Sequence, residues 1–212
     1  KSYVAAAALR LVEMGQLGLD DPLRQHLTEA QAALLERDGY DTGWITIAQV
    51  LSHTAGLGDH TDDPRFEELL LREHTHQWTP EEQIERLVER RDPVGEPGER
   101  FEYSDSGYVL LGGIIQRLTG RQLGPAVRQL VGFEKLGLGI THWEYMEAAP
   151  ATAGPRAHQY FGDVDVTDYN ASFDLYGGGG IVTDVRELTS FMRALLQGQV
   201  FARESTLTEM TG

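Results

Sequence analysis

The chain has 212 residues, 41% of them hydrophobic, no cysteine, and a formal net charge of −15. The apolar fraction is enough for a packed core, and no run of residues reaches the roughly 18 apolar positions of a membrane span. The missing cysteines remove disulfides, thiolate catalysis and cysteine-ligated zinc together, while the carboxylate excess argues against nucleic acids and anionic membranes as partners.

In chain order, residues 1–14 predict a helix, with Val4, Ala7, Ala8, Leu11 and Val12 at helical spacing over an alanine run of high propensity. Nothing before Lys1 supplies an N-cap, so residues upstream are expected. Gly15 and Gly18 stop this helix and Asp20-Asp21-Pro22 turns the chain. From there to about residue 135 the pattern is mostly helical. Thr46 caps a short helix through Ser52, and Asp63-Pro64 opens another with Phe66, Leu69 and Leu70 on one face. Thr79-Pro80-Glu81-Glu82 combines an N-cap, a proline at the first helical position and a glutamate at the third. The helix it opens turns Ile84, Leu87 and Val88 inward and runs to about Arg91. Pro93, Gly95, Pro97 and Gly98 make a loop, and a strongly apolar helix follows from Asp105 to Thr119, closed by Gly120.

After residue 136 the pattern loosens. Residues 157–161 and 164–166 flank a Gly162-Asp163 turn and predict a short hairpin. Gly177 to Gly180 predicts a flexible or tightly apposed loop, and Thr183 or Asp184 caps a last helix through about Leu196. Strand content is too low for a sheet of useful size.

Three segments carry the chemistry: Lys1-Ser2-Tyr3-Val4 at the head of the alanine-rich helix, Tyr103-Ser104-Asp105-Ser106-Gly107-Tyr108 running on to Leu110-Leu111-Gly112, and Gly178-Gly179-Gly180-Ile181-Val182-Thr183 before the helix of Glu187-Leu188. Between the first two lies Leu51-Ser52-His53-Thr54-Ala55-Gly56-Leu57. In this order and spacing they resemble the penicillin-recognising serine hydrolases, in the branch of class C β-lactamases, D-alanyl-D-alanine carboxypeptidases, D-aminopeptidases and family esterases. The resemblance implies an α+β fold, a mixed α/β domain carrying an all-helical insertion, of which this chain supplies mostly α-structure with few short strands. It assigns residues 1–20 to the nucleophile-bearing helix, 21–155 to the helical domain, and 156–212 to a hairpin, glycine loop and last helix returning to the α/β domain.

Carried over residue by residue, Lys1 matches the lysine of the family's Ser-x-x-Lys motif, with the serine three residues earlier, outside the chain. Residues i and i+3 share a helix face, which sets the amine beside the hydroxyl, and a desolvated lysine of lowered pKa can take the hydroxyl proton. Tyr103 matches the tyrosine of the second motif, Tyr-x-Asn, which shuttles the proton with the lysine. The third position is Asp105 where the family has Asn. An ionised carboxylate is acceptor-only, repels a substrate carbonyl and can hold Lys1 charged. Asp105 can equally cap the following helix. Each reading other than the catalytic one is a common structural role: an exposed chain-end lysine and a loop-anchoring tyrosine. His53 reads as a hydrogen-bonded structural histidine.

On this resemblance the parent is a serine hydrolase working through an acyl-enzyme on a β-lactam, a D-amino-acid peptide or an ester, without a cofactor. Its expected partner is a small-molecule or peptide substrate, its expected location extracytoplasmic or periplasmic, and its oligomeric state is left open. With the serine and the third motif (Lys-Thr-Gly or His-x-Gly) beyond the ends, this chain alone is expected to be inactive and to show apolar helix faces at its surface. Two readings compete: a catalytically dead homologue that binds peptides, favoured by Asp105, and an acidic helical interaction module. A divalent metal at His60, Asp62, Asp63, His74 and His76 is a further, weaker reading, because residues two apart do not share a helix face.

Overall fold

The computed structural model describes residues 1–62, 65–90 and 92–211. Nine helices form among them: α1 Ser2–Glu13, α2 Glu29–Arg37, α3 Ile47–Leu51, α4 Phe66–Arg72, α5 Pro80–Arg90, α6 Asp105–Thr119, α7 Leu123–Val131, α8 Val185–Leu196 and α9 Glu204–Thr211. Four two-residue strands pair as two antiparallel ribbons. In one, β1 (His142–Trp143) lies against β4 (Ile181–Val182), and in the other β2 (Tyr160–Phe161) lies against β3 (Val164–Asp165). The mostly helical chain with few short strands is as the sequence implies. The β2–β3 hairpin falls where the Gly162-Asp163 turn predicts it, but the β1–β4 ribbon joins segments that carry no strand signal.

Helix α1 is the centre. Tyr3 to Leu9 and Leu11 are buried, and the helix packs on α6, α7 and α9. The alanines let neighbouring backbones come close, and each larger neighbour fills the space they leave. The Tyr3 ring stacks on Phe191 of α8 at 3.7 Å between centroids. Helix α6 is buried along Ser106–Gly112 and at Ile114 and Ile115, and packs on α1, α3, α5 and α7. Capping follows the sequence closely. Thr46 with Gln49 and Thr79 with Glu82 form reciprocal capping boxes, and Asp184 caps α8 through the Glu187 N–H. The proposed opening of α4 at Asp63-Pro64, and the end of α5 at Arg91, lie outside the described residues.

Helix α8 is not the last. The chain continues into α9, whose start is held by Glu13: its carboxylate accepts from the Ala202 and Arg203 N–H groups at 2.9 and 2.8 Å and from the Thr206 hydroxyl. Glu187 on α8 in turn accepts from the Ile140 and Thr141 N–H groups at 2.9 and 2.8 Å, which fixes β1. The outer side of α8 is open. Val185, Leu188, Met192 and Leu196 recur at helical spacing and are 79%, 42%, 37% and 61% exposed. Among the described residues no helix is long and apolar enough to cross a membrane.

Candidate active site

Lys1 lies more than a hundred residues from Tyr103 and Asp105 in the chain, and the three meet at one cleft because α1 and α6 pack side by side. The Lys1 ammonium donates to the Asp105 carboxylate and to the Gly178 carbonyl, the latter at 2.7 Å. It also stands 4.7 Å from the centre of the Tyr103 ring, within range of a cation–π contact. Both ionic side chains are 15% exposed. Burial pulls the Lys1 amine down, but the hydrogen bond and charge of Asp105, with Tyr103 beside it, outweigh that and leave it raised. The expectation of a lysine with lowered pKa is therefore corrected: in this arrangement Lys1 is held as the ammonium, because an anion sits where the family pattern has a neutral amide.

Asp105 is not the helix cap. That role falls to Ser104, whose hydroxyl oxygen accepts from the Gly107 N–H at 3.1 Å and whose O–H donates to the Gly58 carbonyl at 2.7 Å. Asp105 starts the first turn of α6, with its N–H donated to the buried Asp59 carboxylate at 2.7 Å. Asp59 also accepts from the N–H and hydroxyl of Thr61. Next to it, His60 is 1% exposed and its Nδ1 lies 2.9 Å from the Ser106 hydroxyl. Burial pushes His60 down, so the ring is neutral near pH 7. Asp59, His60 and Ser106 have the residue types of a hydrolytic triad, but Ser106 is 0% exposed and no substrate can reach it. They hold the loop before α4 against the start of α6.

The glycine loop is tightly apposed. A Cβ on Gly112 of α6 would stand 1.8 Å from the Tyr176 carbonyl oxygen, and one on Gly177 (φ +130°) would stand 2.1 Å from the Tyr108 carbonyl oxygen. Only hydrogen at both positions lets the loop reach the helix and present Gly178 to Lys1. Asp174 joins the same wall. Its burial and the neighbouring Asp105 raise it to about 6, moderated by Lys1.

The cleft these groups line has a volume of about 600 Å³. Its lining mixes Lys1, Tyr103, Asp105 and Asp174 with Phe66, Leu70, Phe161 and Phe173, and adds the carboxylates Asp62 and Glu67. A larger cavity of about 790 Å³ lies along residues 140–184 and contains none of the three predicted site residues. Three of its polar side chains are already paired, Arg156 with Glu144 and Glu147 with Arg128, and it is the smaller cleft that gathers Lys1, Tyr103 and Asp105. The histidine cluster is dispersed. His60 binds Ser106, the His74 ring packs on Tyr169 at 5.0 Å, His76 lies 3.0 Å from Glu82, and Asp63 lies outside the described residues. Among the described residues no three acidic or imidazole groups converge as metal ligands.

Comparison with known proteins shows the family. The Beta-lactamase family profile matches residues 1–211. The chain belongs to the β-lactamase family. Among solved structures, a D-stereospecific amidohydrolase from Streptomyces sp. superposes with a TM-score of 0.84 at 32% identity, over 100% of this chain and 62% of that one. Among curated proteins, esterase EstB of Burkholderia gladioli is 33% identical over 71% of this chain and 38% of its own length. Penicillin-binding protein 4 of Amycolatopsis lactamdurans is 32% identical over 65% of this chain and 32% of its own. The chain spans about half the length of the curated relatives that match nearly all of it.

Sequence reasoning missed Asp59, Asp174 and the Gly178 carbonyl. Asp59 follows the Leu51–Leu57 stretch with no periodic signal, and Asp174 ends a four-residue 3-10 helix too short to have a pattern. A backbone acceptor has no side-chain signature at all.

Proposed function

We propose that the protein of which this chain is part is a serine acyl hydrolase, with Lys1 and Tyr103 as catalytic residues and Asp105 as the group that governs Lys1 and faces the substrate. What supports this reading most is a single observation: an ammonium at the start of a helix, facing a tyrosine ring 4.7 Å away, inside a cleft lined by both polar and aromatic side chains. The nucleophile in this reading is the family serine three residues before Lys1. Its Oγ bonds to the acyl carbon while its proton passes to the Tyr103 oxygen and the Tyr103 hydroxyl proton passes on to the leaving nitrogen or oxygen, whose bond to the acyl carbon breaks; the Lys1 ammonium steadies the charge on Tyr103. The leaving amine or alcohol departs with that proton. Water then attacks the ester in the same way and frees the acid. The substrate classes are β-lactam, D-amino-acid peptide or amide, and ester. Within the parent, residues 1–20 and 156–212 belong to the α/β domain and 21–155 to the helical domain.

The Lys1–Asp105 pair also favours a second reading, a homologue that binds such ligands without turning them over. One experiment separates the two. Intact mass of the parent protein is recorded before and after incubation with a fluorophosphonate probe and with penicillin. The hydrolase reading requires a stoichiometric fluorophosphonate adduct that is lost when Lys1 or Tyr103 is replaced. A folded parent that takes up no probe sinks it and leaves the binding homologue. A penicillin adduct narrows the substrate class to β-lactam-like amides.

A further inference from the structure

Helix α3 ends in a pair of bonds, Thr54 N–H to the Gln49 carbonyl at 2.8 Å and His53 N–H to the Val50 carbonyl at 3.3 Å. This pattern places the residue that donates to Val50 in the left-handed region, where glycine is the usual occupant. Here it is His53, at φ +58°. A side chain in that conformation costs free energy that glycine avoids, so its retention asks for a reason in what the side chain does.

The reason lies on the loop before α6. The His53 Nδ1 accepts from the Ser104 N–H at 3.1 Å, and its carbonyl accepts from the Glu102 N–H at 2.8 Å. These two bonds straddle Tyr103. The imidazole also stacks on the Tyr103 ring, 4.6 Å between centroids, and on Tyr108 at 5.0 Å. The Tyr108 hydroxyl donates to the Leu51 carbonyl at 3.0 Å, so the second ring is itself tied to α3. Glycine would make the same turn and keep the carbonyl, but would supply neither the Nδ1 acceptor nor the ring.

We propose that His53 is a positioning residue that clamps Tyr103 over Lys1, and that the clamp holds only while its imidazole is neutral. Accepting at Nδ1 requires the tautomer with its proton on Nε2. Several charges bear on the ring. Burial pushes it down, as does the Lys1 ammonium, while Asp105 and Asp59 push it up, and the balance is a lowered pKa. The ring is therefore neutral near pH 7, and protonation in acid turns the acceptor into a donor facing another donor. Only the consequence for catalysis rests on the acyl-transfer reading. The clamp itself does not.

The test reads geometry rather than turnover: amide exchange and shift of Ser104, and ring resonances of Tyr103, in this chain and in two variants. His53→Gly relieves the backbone conformation and removes the acceptor. The expected result is an intact α3 with a Ser104 amide exchanging about tenfold faster or more and a Tyr103 ring that loses its ring-current shift. His53→Asn tolerates the left-handed turn and sets Oδ1 where Nδ1 was, so it is expected to restore the slow Ser104 amide without the ring shift. In the native protein the Ser104 shift is expected to titrate with His53 as pH falls, and in His53→Asn that transition is expected to vanish. A Ser104 amide unchanged in His53→Gly would mean His53 is only a helix end. Should His53→Gly not fold, a Ser104 shift indifferent to His53 titration overturns the proposal on the native protein alone.

Discussion

Helices α1 and α8 are each twelve residues long, and they use their apolar residues in opposite ways. In α1, eight residues are buried, on every side of the helix, between α6, α7 and α9. In α8 only Phe191, Ala194 and Leu195 are buried, and a second apolar stripe faces outward. The difference explains where the cleft sits. A cationic side chain can be held against Asp105 and Gly178 only if the helix bearing it cannot shift, and α1 is enclosed by α6, α7 and α9. Helix α8 supports the site indirectly, through Phe191 under Tyr3 and Glu187 under β1.

Breaking α1 should therefore have the largest effect. Leu11 is 0% exposed, and Leu11→Ala is expected to cost about 2–5 kcal/mol through lost burial and the cavity left behind. Urea unfolding monitored by circular dichroism measures it, and a loss under about 1 kcal/mol would mean α1 is less central than its packing indicates. Glu187→Gln comes next. That carboxylate serves the Ile140 and Thr141 N–H groups and the Thr141 hydroxyl, and weakening these bonds is expected to cost about 1–3 kcal/mol. The sign of its pH dependence is fixed. Burial raises Glu187, but the Thr141 hydroxyl and the backbone N–H donors outweigh this and leave it lowered. Its contribution is therefore present above the ordinary carboxylate range and lost as pH falls through the depressed value. Thermal melts between neutral pH and acid should show that loss in the native chain and not in Glu187→Gln.

The sequence made some of this legible. Helix α6 was bounded correctly because Gly120 is a strong stop and its apolar run is long. Lys1, Tyr103 and Asp105 could be named from motif order alone. Helix α2 opens on a Thr28–Gln31 capping box that was available to be read. Helix α7 begins at Leu123-Gly124-Pro125, where two loop-forming residues mask it. The β1–β4 ribbon could not be seen, since two-residue strands have no period. The charge state of Lys1 stays open in the sequence, which allows both a lowered pKa and an Asp105 pair that holds it charged. Desolvation can be guessed from a motif, but its balance against one specific anion needs the packing of α1 on α6.

Asp105→Asn tests that balance directly. The substitution keeps the shape and removes the charge, and should cost about 1–3 kcal/mol at neutral pH. Lys1 is raised in the folded chain, so its stabilisation is complete below the unfolded value and is lost as pH rises through the folded one. In Asp105→Asn that alkaline loss should shrink. In the parent protein, the upper-pH limb of kcat/KM should move toward acid, because Lys1 loses the charge that poises Tyr103 at a lower pH. An unchanged profile would mean the ion pair does not set the charge of Lys1 during turnover.

The smallest expected effect lies on the outer face of α8. Met192→Lys with Leu196→Lys replaces two side chains that are 37% and 61% exposed, so each should change stability by no more than about 0.5 kcal/mol. Both sit away from the Phe191, Ala194 and Leu195 contacts, and a cation in the last turn of a helix is favoured by its dipole. What should change is self-association, since a charged pair interrupts a stripe of four apolar residues that water now covers. Melting temperature and sedimentation of the double variant decide the matter together. A stable, less associated variant confirms that α8 is apolar on two sides with one side filled. A variant destabilised by more than about 2 kcal/mol would mean the outer stripe is covered in solution, and that α1 and α8 differ less than their exposures indicate.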